Sequence, residues 1–432
     1  MVGNTFPYTI NDWKADMQLA QANGIDGFAL NVGRDDWQPA RVQDAFEAAR
    51  QLGTGFKLFI SLPCASPADA AALRTYITTY ATHPNQFIYR NRVYASSFSG
   101  ETCTFGQSSV PQGWSSQFTR HADLSGQNAV YFVPSFFVDP ATFAQYGDVM
   151  DGAMAWNSAW PIDLTSNSGS SGGLVSQILG AVSNAVQGIL GGGDTDTQYL
   201  NALAAMPNGP DGNRTYLPTV SPWFFTHYGA DSYNKNFVYY ADSHLYPVRW
   251  EQLIANRDRH DVVEVLTWND YGESSYIGPI AGAQPNSQAW VDGFDHTAFL
   301  NMTAYYAQAY KTGAYPAISQ DRLFLWARPH AKDANAPDAV GKPSNFNLMS
   351  DTVWALVFAA SPAQVVLSVS NSTSQTFTVP AGVTKLSVPI TPGDTMHAQL
   401  IRAGVTVVDL DPDFTFQGSP QTYNYNAFVA AS

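Results

Sequence analysis

The chain has 432 residues with 35 acidic and 21 basic side chains, a formal charge of -14, so a polyanion such as nucleic acid would be repelled over most of its surface. Charged residues are only 13%, about half the usual share, while 11 Trp, 22 Tyr and 33 Gly give a profile closer to exported carbohydrate enzymes than to cytosolic ones. A neutral polymer escapes that field and must be gripped by hydrogen bonds and by rings lying on its C–H faces.

Met1 leads straight into VGNTFPYT with no basic or apolar leader. The expectation is a secreted protein whose export signal is absent from this chain. Three sequons, at Asn213, Asn301 and Asn371, suit an exported chain but arise by chance often enough to add little. No stretch reads as a membrane span. The most apolar segment, residues 174 to 190, is punctuated by Ser, Gln, Asn and Gly and reads as an amphipathic helix.

Up to about residue 316, short apolar runs alternate with helical segments. The runs are MVGN, then 26–33, 56–63, 93–100, 129–137, 152–160, 215–225 and 262–270. Between them lie segments such as TINDWKADMQLAQANG, which Thr9 or Asn11 would cap and Gly24 would end. Eight strands in alternation predict a (β/α)8 TIM-like barrel over residues 1–316. Residues 164–193 hold no charge and begin and end in Gly-rich tracts, a flexible insertion or a long-tethered barrel helix. From 317 to 432 the pattern changes to short alternating strands separated by turn residues, predicting a smaller all-β, sandwich-like domain. Without a clear row of exposed Trp, bracing the barrel is the safer role for it than binding polysaccharide.

Chemistry in such a barrel gathers where the strands end. Asn4, Asn31, Asn157 and Asn269 each follow an apolar run, with Trp156, Trp223 and Trp268 close by, although Asn is also an ordinary loop residue. Several motifs fail on context. GSSGG at 169–173 lies in a Gly-Ser linker rather than a strand-to-helix elbow. DLDPDF at 409–414 lacks the glycine and the final Glu of a calcium loop, and the eight His are scattered without metal-ligand spacing. Cys64 follows the third predicted strand and Cys103 the fourth, so a disulfide between neighbouring loops is expected, with two free core thiols as the other reading.

Asp26, Glu101, Asp139, Asp151, Asp270 and Glu273 are the acids able to reach the strand ends. Asp270 and Glu273 are best placed, in TWNDYGES, because Gly272 lets the chain turn sharply between them. Glycoside cleavage needs one carboxyl kept protonated and another kept ionised, and a tight pair among aromatic rings supplies both. A plain solvated turn would look similar.

The sequence resembles the fungal α-1,3-glucanases, or mutanases, of glycoside hydrolase family 71. The resemblance rests on MVGNTFPYT, DWKADMQLAQANGIDGFALNVG, YATHPNQFIY, GETCTFGQ, VPSFF, GAMAWNSAWP and TWNDYGESSYIGP. It implies a barrel with an appended β domain, endo-type hydrolysis of α-1,3-linked cell-wall glucan with inversion, and no cofactor. It also places the catalytic pair in W-N-D-x-x-E, filled here by Asp270 and Glu273; Glu273 is taken as general acid and Asp270 as general base, roles that the spacing does not fix. Asp26, Asn31, Trp156, Asn157, Trp223, Trp268, Asn269 and Tyr271 are the expected substrate contacts, and an α-glucan is the expected partner of a monomer that binds no metal, nucleic acid or membrane. The family places a carboxylate after its third strand, whereas here FKLFISLP runs directly into Cys64. A weakened or non-hydrolytic glucan-binding homologue and a glycosidase of another linkage are the alternatives.

Overall fold

A computed structural model of the protein describes residues 1–63, 70–161, 193–370 and 373–432. Cys64, the predicted helix 174–190, nearly all of the 164–193 insertion and the sequon at Asn371 lie outside the described residues. The described chain forms two compact units. The first comprises Met1–Ala159, Gly192–Val220 and Ala255–Val265, and the second Trp160–Gly191, Ser221–Ile254 and Leu266–Ser432.

The first unit is built on parallel strands. Strands β1 (Gly27–Asn31), β2 (Lys57–Pro63), β4 (Arg92–Phe98) and β5 (Val130–Ser135) pair in that order, with the short β3 (Ile88–Tyr89) added antiparallel to β4. Strands β6 (Gly152–Ala155), β7 (Thr215–Val220) and β10 (Glu264–Val265) form a second parallel ladder. All six residues of β5 are buried, the signature of a strand covered on both faces. Helix α1 (Ile10–Ala22) precedes β1, and α2 (Gln38–Leu52) and α3 (Ala70–Tyr80) separate the next strands. The start of α1 is fixed by Asp12, whose Oδ2 accepts from both the amide and the hydroxyl of Thr9 at 2.7 Å. Helix α2 stops at Gly53, which takes the left-handed conformation.

The predicted first strand MVGN is instead a 3-10 turn, Val2–Thr5. Thr5 Oγ1 donates back to the Val2 carbonyl at 2.7 Å, so a local bond takes the carbonyl that a ladder would have used. The last run, 262–270, is strand only over Glu264–Val265.

In the second unit, β8 (Phe225–His227) and β9 (Asn236–Val238) form an antiparallel hairpin. Strands β11 (Arg322–Ala327), β12 (Thr352–Ala359), β15 (Gly382–Pro389) and β18 (Phe428–Ala431) make one four-stranded antiparallel sheet. Strands β13 (Ala363–Ser370), β14 (Thr373–Val379), β16 (His397–Arg402) and β17 (Val405–Leu410) make another. The two share one core: Leu323, Leu325, Val353 and Val357 from the first sheet cluster with Val365, Leu367, Ala398 and Leu400 from the second. Alternation explains it, since Val365, Leu367 and Val369 are buried while the residues between them are not.

Candidate active site

Beyond β10 the chain folds back on itself. Thr267 N–H donates to Ser275 O at 2.8 Å, Ile277 N–H to Thr267 O at 2.9 Å and Gly278 N–H to Trp268 O at 2.9 Å, which ties off residues 267–278 as a closed loop. Inside it, Asp270 N–H donates to Thr267 Oγ1 at 2.8 Å, and Tyr271–Glu273 make one 3-10 turn that ends at Ser274 with φ 56°. The turn is rooted by Tyr271, a buried ring whose hydroxyl donates to Pro279 O at 3.1 Å and accepts from Ala281 N–H at 2.9 Å. One rigid turn therefore presents both Asp270 and Glu273.

The β8–β9 hairpin supplies the other side of this site. Tyr228 N–H donates to Lys235 O at 2.7 Å across its mouth, which delivers both side chains to the acid loop. Lys235 Nζ donates to Glu273 Oε1 at 3.3 Å. The Tyr228 hydroxyl donates to Pro285 O at 3.1 Å, and it lies so near Gly272 that a Cβ there would stand 2.2 Å from it. The glycine is thus required by close approach. Tyr233, 60% exposed, meets Tyr228 edge-on at 4.7 Å.

Burial raises both acids. Glu273, 19% exposed, is pushed up to about 7 by burial and then by the Asp270 charge, with Lys235 pulling the other way. Asp270 is raised from its ordinary value chiefly by burial, with Lys235 again opposing. The Tyr228 hydroxyl is also pushed up, by burial first and by Asp270 second. Two enclosed carboxyls that repel each other hold a proton near neutral pH, so the pair offers a donor and an acceptor on a single turn. Among the described residues, no group of three or more His, Cys, Asp or Glu is arranged to hold a metal ion.

The model of glycosyl hydrolase family 71 matches residues 1–432. This chain belongs to that family. It is a glycoside hydrolase, and its curated relatives align along nearly their whole length. "Glucan endo-1,3-alpha-glucosidase agn1" of Schizosaccharomyces pombe is 37% identical over 99% of this chain and 92% of its own. "Ascus wall endo-1,3-alpha-glucanase" of the same yeast is 33% identical over 94% and 89%. "Mutanase Pc12g07500" of Penicillium rubens is 31% identical over 100% and 87%. Among solved structures, the GH99 endo-alpha-mannosidase from Bacteroides thetaiotaomicron matches at a TM-score of 0.47 and 13% identity, over 71% of this chain and 81% of that one, a likeness that carries no argument.

Of the substrate contacts expected in this family 71 chain, Trp268 and Asn269 sit in the acid loop, half-buried and buried. Tyr271 is there too, but its ring and hydroxyl are used up in anchoring the turn. Trp223 is wholly buried and its Nε1–H donates to Tyr425 O at 2.7 Å, so it is a core residue rather than a stacking platform. In the first unit, Asn31 ends β1, while Trp156 and Asn157 follow β6, all at the C-terminal edge. Asp26 is different. It stands before β1, where its carbonyl accepts from Lys57 N–H at the start of β2, and so it lies at the N-terminal edge, away from Asn31. Asp151 likewise precedes β6, where Arg92 Nη2 donates to its Oδ1 at 2.7 Å. Cys103 is disulfide-bonded, while Cys64, the other cysteine of the chain, lies outside the described residues. Sequence reasoning missed Lys235, Tyr228 and Tyr233. The one available signal was the turn-rich GADSYN between two aromatic strands, which says nothing about where that hairpin points.

Proposed function

We propose that this family 71 enzyme hydrolyses α-1,3-glucosidic linkages in cell-wall glucan with inversion at the anomeric carbon. Glu273 gives its proton to the bridging oxygen as the C1–O bond breaks, while Asp270 takes a proton from the water whose oxygen bonds to C1. The observation that carries this reading is two carboxyls, Asp270 and Glu273, presented by one glycine-hinged turn and both raised chiefly by burial. The relatives' names supply the linkage. The supporting architecture would be a (β/α)8 barrel over 1–316 followed by a β-sandwich over 317–432. Parallel ladders in chain order and two antiparallel sheets around one core favour it. Secretion and a monomeric state complete the proposal; no described helix is long and apolar enough to cross a membrane.

The test is reducing-sugar release from insoluble α-1,3-glucan by Glu273→Gln and Asp270→Asn, with the anomer of the first product read by NMR. Each variant should lose about 10²–10⁴ in rate, and the parent should release the inverted anomer. Turnover by both variants at the parental rate would remove the acids from the mechanism. A retained anomer would instead remove the water-activating role of Asp270.

A further inference from the structure

The strand ends of the first unit carry a group of rings that bond cleavage does not use. Phe98 ends β4, Phe137 comes two residues after β5 and Trp156 comes directly after β6. Phe98 meets Phe137 edge-on at 5.4 Å and Trp156 at 4.6 Å. Phe98 remains 36% exposed and Phe137 42%, although large apolar rings favour burial. Alternation along SFF separates the two neighbours: Phe136 is buried against Trp114, and Phe137 faces out.

Beside these rings stands an acid that the loop holds in place. Glu101 accepts from Ser99 Oγ at 3.0 and 3.1 Å on its two oxygens and from Phe137 N–H at 3.3 Å. The loop is itself pinned, since Trp114 Nε1–H and Cys103 N–H donate to Gly100 O at 2.9 and 3.1 Å. Gly100 has φ +123°, and a Cβ there would lie 2.8 Å from both Phe136 and Trp114. A surface acid does not need so fixed a setting.

We infer that Phe98, Phe137, Trp156 and Glu101 form a pyranose-binding subsite for a neutral glucan chain. The rings match the C–H face of a sugar. The two oxygens of Glu101 have acceptor sites beyond the hydrogen bonds they already take, so they suit the hydroxyl donors of a sugar. This inference rests on the glucan reading above, but it concerns grip, not cleavage.

The experiment measures binding of a thio-linked α-1,3-glucan oligosaccharide, whose bridging sulfur resists cleavage, by isothermal titration calorimetry. Phe137→Ala and Glu101→Gln should each weaken Kd about three- to tenfold, and Phe137→Trp should restore it. On cleavable glucan, Phe137→Ala should raise KM more than it lowers kcat. If the parent binds and both variants bind equally well, the subsite is wrong while the catalytic reading stands. If the parent binds no α-1,3-glucan at all, the functional reading falls with it. Active Asp270→Asn and Glu273→Gln variants would sink the acid assignment yet leave the Kd comparison valid.

Discussion

Two stretches of one short segment, the strand β10 and the loop that begins just after it, each hold a glutamate pushed up to about 7. Glu264, on β10, is raised by burial alone: its Oε2 is shut away from solvent with no hydrogen-bond partner among the described residues. Glu273 is raised by burial and by Asp270, is opposed by Lys235, and sits on a turn tied down at both ends. The same displacement therefore has two origins. A carboxyl in an apolar setting becomes a weak acid wherever it is, but only one with a second carboxyl and a countering cation is poised to exchange protons with a substrate.

The largest way to break this contrast is to replace each glutamate with glutamine. Glu273→Gln should lose about 10²–10⁴ in kcat, whereas Glu264→Gln should keep activity within about threefold, since it removes no proton donor from a reacting bond; reducing-sugar assays decide it.

Stability should answer in the opposite sense. Between the ordinary value of 4.5 and about 7, native Glu264 holds a proton that the unfolded chain has released. Stability therefore declines as pH rises through that window, and the cost is fully present above it. Glu264→Gln should recover at most about 3 kcal/mol at pH 8 and nothing below pH 4, as measured by urea unfolding at the two pH values.

Gly272→Ala sharpens the comparison from the backbone side. Its Cβ would be driven into the Tyr228 hydroxyl, so unfolding should show a loss of about 1–3 kcal/mol. The kcat should fall with it, because the turn that presents Glu273 moves while β10 does not. The smallest effect belongs to Lys235→Met. Removing the cation raises the pKa of Glu273, which must be protonated in its proposed role as the acid, so the alkaline limb of the kcat profile should move to higher pH. Asp270 is the other charge bearing on Glu273, and it should keep that limb far above an ordinary glutamate. A limb that moves to lower pH would reverse the sign assigned to the ion pair.

The apolar runs were legible because strand and helix periodicities are local, and the acid pair was legible because three residues and a glycine already make a turn. Trp223 was misread because proximity to a strand end does not say which way a ring points; packing sends this one inward, to the Tyr425 carbonyl. Asp26 was misread because the run 26–33 has two ends, and only pairing with β2 shows which edge of the sheet an end belongs to. MVGN was read as a strand although the hydroxyl of Thr5, the residue after it, competes for the Val2 carbonyl.

The sequence by itself determined where chain direction, charge and turn chemistry change, and therefore most of the strands and the placing of the carboxyls at 270 and 273 on one turn. The tertiary structure alone decided how strongly those carboxyls hold their protons and that Lys235, thirty-eight residues away, reaches Glu273. The reason is range: hydrogen bonds within a turn depend on neighbours in the chain, whereas burial and the field of a distant cation exist only once the fold has excluded water.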